Sequence, residues 1–272
     1  MTTEDIILRH GTRGMDKLRA HLPADFCDRA AARLACAGGG TVLILTGFFV
    51  NGAAETDGPP GTFVLARTLA ALGYTPVVVT DALCRGLFEP FGIAAEYLPH
   101  DADLTCARGL LARLAPKALV SIERCGRNEH GFYRSMRGLD IGPYTAPADL
   151  LFDAADGIPT VGIGDGGNEI GMGALAPVIR RELDLEPCVV PADELIIAAV
   201  SNWGAYALAA RLQARAGRGP VMPPADEVTA FFAHIVACGC TDGMSGKAEM
   251  KEDGFDLSVG LDIYSQLQKT EV

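Results

Sequence analysis

The sequence has no long hydrophobic run, although 49% of its 272 residues are hydrophobic and its mean hydropathy is +0.21. A helix that crosses a membrane needs about 18 or more consecutive apolar residues. The longest apolar stretches, such as 42–45, 77–79 and 195–200, have the length of a strand or of a buried helix segment. We therefore expect no membrane partner, and the hydrophobic surplus is available for a core or for the interface of a homo-oligomer.

Clustered basic residues are also missing. The chain has 23 Lys and Arg against 34 Asp and Glu, a formal net charge of −11 and a pI near 4.9. Nucleic acids and anionic membranes are bound by concentrated positive charge. We expect no nucleic-acid partner, whereas a small acidic metabolite is compatible with this charge because one or two local arginines can bind it.

Cysteine pairs of the metal-binding or redox type are absent. None of the eight cysteines forms a Cys-x-x-Cys pair, and the close pair Cys238 and Cys240 has no histidine at zinc-finger spacing. Residues 1–9 carry acids and lack the charged and then apolar pattern of a signal peptide. We expect free thiols and a cytoplasmic location, where thiols stay reduced.

Short β-branched runs alternate with segments of helical spacing, which is typical of βαβ units on a parallel sheet. The predicted fold is therefore α/β, with a doubly wound, mainly parallel sheet and helices on both faces, as in a Rossmann-like three-layer sandwich. We predict one domain, with a helical lead-in at 1–39, a core that carries the site loops at 41–216, and a C-terminal helix and tail at 217–272. Predicted strands lie at 41–46, 76–80, 93–98, 117–122 and 158–163. Predicted helices lie at 62–72, 104–114, 148–155, 173–182, 193–216 and 225–238, and 242–256 is predicted as a loop or short hairpin.

Acidic and amide residues recur just after the predicted strands. Glu55 and Asp57 follow the first strand, Asp81 follows the second, and the long loop 123–140 follows a later one. Turn preference alone explains any one of these loops. Because the carboxyl ends of parallel strands lie at one edge of a sheet, the recurrence predicts a ligand site there.

The loop 162–173, Gly-Ile-Gly-Asp-Gly-Gly-Asn-Glu-Ile-Gly-Met-Gly, matches the dinucleotide-binding spacing of glycines. Its carboxylates, Asp165 and Glu169, would repel a pyrophosphate, which is bound by backbone N–H groups and a helix N-terminus. They suit a divalent cation, a substrate ammonium group or proton transfer instead. We therefore expect no nucleotide cofactor.

Two other segments add groups for a substrate. The loop 123–140 contains four arginines, and Arg137, close to Asp140, is our first choice for binding a substrate carboxylate, followed by Arg124. The segment 201–206 places Asn202 beside the chain's only tryptophan in a helical pattern. Asn202 either faces the site or belongs to the packing of that tryptophan.

Several strings, in this order, resemble the C-terminal domain of the D-glutamate cyclase family, here as a stand-alone chain. They are Thr46-Gly-Phe, Glu55-Thr-Asp-Gly-Pro-Pro-Gly, Thr80-Asp, Ile122-Glu-Arg, Met136-Arg-Gly-Leu-Asp-Ile, the loop 162–173 and Ser201-Asn-Trp-Gly. The resemblance implies a carbon–oxygen lyase that converts D-glutamate to 5-oxo-D-proline and water. It also implies assistance by a divalent metal, Mn or Mg.

Ring closure needs a base for the α-amine, a group that polarises the γ-carboxylate and an anchor for the α-carboxylate. We expect Asp165 and Glu169 to hold the metal or the ammonium group, and Asp57 or Glu55 to act as base or ligand. The catalytic set is thus Asp57, Asp165 and Glu169. The expected substrate-binding set is Glu55, Arg124, Arg137, Asp140, Asn168 and Asn202.

Two alternatives stay open. The first is a metal-assisted hydrolase or isomerase that acts on another amino acid or on a lactam. The second is a sensor that binds an amino acid or a nucleotide without turnover.

Overall fold

A parallel β-sheet lies at the centre of the molecule. The computed structural model describes residues 1–11, 13–217 and 219–270, and six strands in these ranges form the sheet. They are β1 (Gly40–Leu45), β2 (Tyr74–Thr80), β3 (Ala94–Tyr97), β4 (Ala118–Ile122), β5 (Thr160–Gly164) and β6 (Glu194–Ile197). Their order is β3-β2-β1-β4-β5-β6, and every neighbouring pair is parallel. The doubly wound α/β prediction is confirmed.

The sequence pattern of the strands follows from their burial on both faces. All residues of β4 and β5 are buried, and in β1 the four residues from Val42 to Leu45 have no exposed surface. A strand covered by helices on both faces needs continuous apolar residues rather than alternation. The strand order reverses between β1 and β4, where a crevice for ligands forms in such sheets.

The helices cover both faces of the sheet. They are α1 (Thr3–Ile7), α2 (Met15–Arg19), α3 (Phe26–Ala35), α4 (Pro59–Ala71), α5 (Leu104–Leu114), α6 (Leu150–Asp153), α7 (Ala176–Glu182), α8 (Ser201–Ala216), α9 (Ala225–Ala237) and α10 (Leu257–Leu267). Helix α8 packs against α3 and α4. The crossovers through α4 and α6 leave β1 and β4 in opposite directions, so right-handed connections place these two helices on opposite faces.

The predicted helix at 193–216 is wrong in its first part. Glu194–Ile197 forms β6, which pairs with β5 through contacts such as Gly162 with Leu195, and α8 begins only at Ser201. A short apolar run does not distinguish a strand from a buried helix segment. The break places Ser201 and Asn202 at a helix N-terminus rather than in a helix interior.

The C-terminal part contains more secondary structure than the sequence predicts. The hairpin expected within 242–256 is confirmed, with strands Lys251–Glu252 and Phe255–Asp256, and α10, which follows it, was not predicted. One buried hydrophobic cluster extends from Ile6 to Leu267, so both ends of the chain pack on the same core as the sheet. In the described part of the chain, no helix is long and apolar enough to cross a membrane.

Glycines of the loop 162–173 allow its backbone to approach other backbone closely. A Cβ on Gly162, in β5, would lie 2.6 Å from Cα of Gly171 and 2.7 Å from the carbonyl oxygen of Ile170. Gly171 itself has φ of +106°, a conformation that favours glycine. The loop therefore folds back onto its own strand, and backbone approaches backbone where a nucleotide-binding motif would receive phosphate.

We expect Gly162→Ala to lower the free energy of unfolding by about 3 kcal/mol, because the new methyl group meets backbone atoms that cannot move aside. Urea unfolding followed by circular dichroism measures this change. Gly109→Ala is the matched control, since Gly109 lies inside α5 with open space around its Cα and the substitution should stabilise by about 0.5–1 kcal/mol. Equal effects of the two substitutions would contradict the steric explanation.

Candidate active site

Three buried carboxylates meet at the carboxyl edge of the sheet. Asp57 lies in the loop after β1, Glu123 directly follows β4, and Asp165 directly follows β5. Each offers one carboxylate oxygen, and the three oxygens lie within 4.8 Å of one another. Because β1, β4 and β5 are neighbours in the sheet, the topology itself brings residues from distant parts of the sequence together at the reversal of strand order.

Asp57 is held by the N-terminus of α8. The backbone N–H of Ser201 donates to Oδ2 at 2.8 Å, and those of Asn202 and Gly58 donate to Oδ1 at 2.7 and 2.9 Å. A helix N-terminus stabilises negative charge. Burial raises the pKa of Asp57, and the N–H donors from α8 oppose that rise. The carboxylate is thereby fixed in orientation at the edge of the cluster.

Glu123 has a strained backbone. Its φ is +43°, in the left-handed region that a side chain of this size rarely adopts. The hydroxyl of Ser201 donates to its Oε2 at 2.6 Å. Burial and the negative charges of Glu169 and Asp57 raise the pKa of Glu123. Such strain costs about 1–3 kcal/mol and is concentrated at functional sites.

Arg13 is the positive charge in the cluster. Its guanidinium forms ion pairs with Oδ1 of Asp165 and Oδ1 of Asp253, both at 2.7 Å. Burial raises the pKa of Asp165, and the charge of Arg13 opposes this rise. Oδ2 of Asp165 is buried, and no hydrogen-bond partner for it is found among the described residues. This oxygen is therefore open to a ligand.

Two further acids line or support the cluster. Burial and the charges of Asp253 and Asp57 raise the pKa of Glu55, and a Cβ on Gly243 would overlap Oε1 of Glu55. Glu252 accepts hydrogen bonds from Nδ2 of Asn202 and Nε1 of Trp203, each at 2.8 Å. Burial raises the pKa of Glu252 to about 7.

Acids outnumber the cation at this site. The buried carboxyl groups include those of Glu55, Asp57, Glu123, Asp165, Glu169, Glu252 and Asp253, and within the described ranges the arginine that forms ion pairs with them is Arg13. Unpaired buried charge is costly, so the cluster needs protons or added cations. A group of three hard oxygen ligands fits Mg²⁺ or Mn²⁺.

Glu169 lies outside that group of three. Its two carboxylate oxygens accept the backbone N–H groups of Asp165, Gly166 and Gly167 at 3.2, 2.6 and 2.7 Å. The sequence predicts that Glu169 shares a metal with Asp165; this stays a prediction, and the acid that lies with Asp57 and Asp165 in the group of three is Glu123. The carboxylate of Glu169 satisfies the backbone donors of the glycine loop and thereby orients Asp165.

Asn202 is also engaged with backbone rather than with the cavity. Its Oδ1 accepts the N–H groups of Gly58 and Gly61 at 3.0 and 2.8 Å, and its Nδ2 donates to the carbonyl of Thr56 at 3.1 Å. These contacts support the loop that carries Glu55 and Asp57, and the expected substrate contact of Asn202 stays a prediction.

Arg124 is fully buried away from the cavity. It pairs with Asp81 at 2.7 Å and donates to the carbonyl oxygens of Gly47 and Ala146 at 2.8 and 2.6 Å. These contacts tie together the carboxyl ends of β1, β2 and β4. The geometry does not place Arg124 where it would bind a substrate carboxylate.

A cavity of about 570 Å³ opens above the acids. Arg13, Glu55 and Glu123 line its charged part, and Arg137, Asp140 and Asn168 line its wall. Arg137 is exposed, and no ion pair of its guanidinium is found in the described ranges. Among the described residues that line a smaller cavity of about 410 Å³, near the amino ends of β5 and β6, Asp193 is the one acid.

The structure thus brings together Glu55, Asp57 and Asp165 of the expected residues and places Arg137, Asp140 and Asn168 on the same cavity. Sequence reasoning missed Glu123, Arg13, Glu252 and Asp253. Glu123 could have been identified from the sequence as a site residue, because it immediately follows a buried strand. In the sequence, Arg13 and the acids of the C-terminal hairpin are far from the end of any strand of the sheet, and no local pattern marks them.

Two comparisons connect the chain to known proteins. A family described as "D-glutamate cyclase-like, C-terminal" matches residues 3–268. The human protein named "D-glutamate cyclase, mitochondrial" is 36% identical, over 63% of this chain and 32% of the human protein. The match therefore spans about a third of the length of that relative.

The pH dependence of stability tests the buried acids. The folded protein binds the proton of Glu252 more tightly than the unfolded chain, because the pKa rises from 4.5 to about 7. The contribution of this group to the free energy of unfolding is complete below pH 4.5 and falls as pH rises toward 7, by on the order of 3 kcal/mol. Urea unfolding in the presence of a chelator, in steps from about pH 5 to about pH 8, should show this decline, and Glu252→Gln should make it less steep by the share of Glu252.

The control is Glu129→Gln, since Glu129 is exposed and pairs with Arg180 at the surface. This variant should keep the full decline of stability with pH. An equally steep decline in Glu252→Gln would show that Glu252 does not hold the proton.

Proposed function

The chain belongs to the D-glutamate cyclase-like family, and we propose that it converts D-glutamate to 5-oxo-D-proline and water at the acid cluster. The observation that carries the proposal is the meeting of Asp57, Glu123 and Asp165 within 4.8 Å below an open cavity. A site with this excess of negative charge binds cations, and the substrate brings one in its ammonium group. The homo-oligomer and the cytoplasmic location expected from the sequence stay predictions.

In the proposed complex, the ammonium group enters the acidic part of the cavity and the α-carboxylate binds Arg137. Arg137 suits this task because it lines the cavity and its guanidinium is free of acidic partners among the described residues. Asn168 and Asp140, on the same wall, contact the remaining polar atoms. This arrangement holds both ends of the amino acid and favours the folded conformation that ring closure requires.

Glu55 is the proposed base. It lines the cavity, lies outside the group of three acids, and has a pKa raised by burial and by neighbouring carboxylates. A carboxyl group with a raised pKa is a better proton acceptor near neutral pH than an ordinary one. Glu55 takes protons from the ammonium group and passes them to the departing oxygen, while the nitrogen bonds to the γ-carbon and water leaves.

Asp57, Glu123 and Asp165 are the residues that would hold a divalent metal, which would polarise the γ-carboxylate and offset its negative charge. Glu169 and Asn202 position these residues through the backbone contacts described above. Ser201 fixes Glu123 by its hydroxyl hydrogen bond. The expected catalytic set of Asp57, Asp165 and Glu169 is thus proposed with Glu169 in a positioning role.

We expect Glu55→Gln to lower kcat for D-glutamate by about 100-fold or more, because the base is lost while the shape of the side chain is kept. Chromatographic detection of 5-oxoproline, with D- and L-glutamate and with or without Mn²⁺, measures this. The free energy of unfolding should stay equal or rise, since one buried acid is removed. Exposed Glu129→Gln should keep wild-type activity, and folded wild-type protein that turns over neither enantiomer would contradict the proposal.

The metal assignment has a separate test. Calorimetric titration of Mn²⁺ should show binding to the wild-type chain and an affinity at least about tenfold lower in Asp165→Asn, which loses a charged ligand. Asp140→Asn is a matched control, because Asp140 lines the same cavity but lies outside the group of three acids. Equal Mn²⁺ affinity of wild type and Asp165→Asn would contradict this assignment.

A further inference from the structure

We propose that the outer part of the active-site cavity binds an apolar group attached to the γ-carbonyl of the substrate. The preferred substrates are then γ-amides or γ-esters of D-glutamate, with an apolar amine or alcohol as the leaving group. This inference rests on the proposed ring closure and names the class of substrate for it.

The first observation is the size of the cavity. Its volume of about 570 Å³ lies within the range of about 300–1,000 Å³ that is typical of pockets for drug-sized ligands. Glutamate is far smaller than such ligands. With its charged groups bound by the acids and by Arg137, it leaves much of the cavity without contact.

The second observation is the chemistry of the outer wall. Apolar side chains from two segments line it, Phe48, Phe49 and Val50 from one and Met136, Leu139 and Ile141 from the other. Met244 of the C-terminal segment also lines the cavity. Free glutamate has only short methylene groups to offer to such a wall, whereas an aromatic or aliphatic substituent would fill it.

Part of this wall is exposed to solvent. Leu139 and Met244 are 62% and 55% exposed, and the ring of Phe49 stacks on Tyr144, itself 47% exposed, with centroids 4.1 Å apart. Exposed apolar side chains beside a polar centre are typical of a binding site. The stacked pair offers a flat, preformed face for an apolar substituent.

The chemistry selects the γ-position for this substituent. The amine must stay free because it attacks, and the α-carboxylate must stay free because Arg137 binds it. A γ-carboxylate anion resists attack, whereas a γ-amide or γ-ester lacks that negative charge. In the proposed step the amine nitrogen bonds to the γ-carbon and the bond to the leaving amine or alcohol breaks. One ammonium proton goes to the leaving atom and a second to Glu55.

The test uses three substrates with the full chain: free D-glutamate, its γ-(4-nitroanilide) and its α-(4-nitroanilide). We expect kcat/KM for the γ-anilide to exceed that for D-glutamate by about tenfold or more, with release of 4-nitroaniline and 5-oxo-D-proline. The α-anilide should show no such gain. Phe49→Ala should lower the ratio of the two kcat/KM values, γ-anilide to D-glutamate, by about tenfold, because contact with the aromatic group is lost.

Phe132→Ala is the matched control, since Phe132 is also a phenylalanine of the site loops but does not line the cavity. It should leave the ratio unchanged. Turnover of D-glutamate with no preference for the γ-anilide, or an equal effect of both substitutions on the ratio, overturns this inference and leaves the cyclase proposal standing. If the protein turns over the γ-anilide but not D-glutamate, the inference about γ-substituted substrates is supported, and free D-glutamate is excluded as a substrate. Absence of turnover of all three substrates by folded protein overturns both proposals.

Discussion

The excess of buried carboxylates over Arg13 is the constraint around which the rest of the site is arranged. Burying several acids together is unfavourable unless hydrogen bonds, a counter-ion or protons compensate. The structure supplies the N-terminus of α8 to Asp57, a serine hydroxyl to Glu123 and a guanidinium to Asp165. These contacts explain why α8 begins where it does and why the loop after β1 turns toward it.

The negative charge that these contacts leave uncompensated makes the site suited to a cation. A core that serves only stability consists of apolar residues. A polar network in which every group is paired would have no free atom to bind a ligand. Here Oδ2 of Asp165 stays open, and the pKa values of Glu55, Asp57 and Glu123 are raised. Stability lost to this cluster is recovered by the extensive core, which extends to both ends of the chain.

Several polar residues that look like ligand contacts serve the backbone instead. Glu169, Asn202 and Arg124 together satisfy N–H and carbonyl groups of three loops that lie above the buried sheet. Buried backbone groups must find partners, and irregular loops cannot supply them from a regular ladder. Glu169 and Asn202 also contact Asp165 and Asp57 directly, through backbone N–H groups, and so help to fix the positions of these two acids.

Local periodicity and strand-edge geometry are enough to predict the parallel α/β fold and the position of the acids after the strands. The sequence by itself did not determine that 194–197 is a strand, because a short apolar run fits a strand or a helix until a neighbouring strand pairs with it. The packing of the whole chain was needed to show that Glu123 lies with Asp57 and Asp165, and that Arg13 and Asp253 join this cluster from the two ends of the chain. Contacts between residues so far apart depend on crossovers and packing, which leave no local pattern in the sequence.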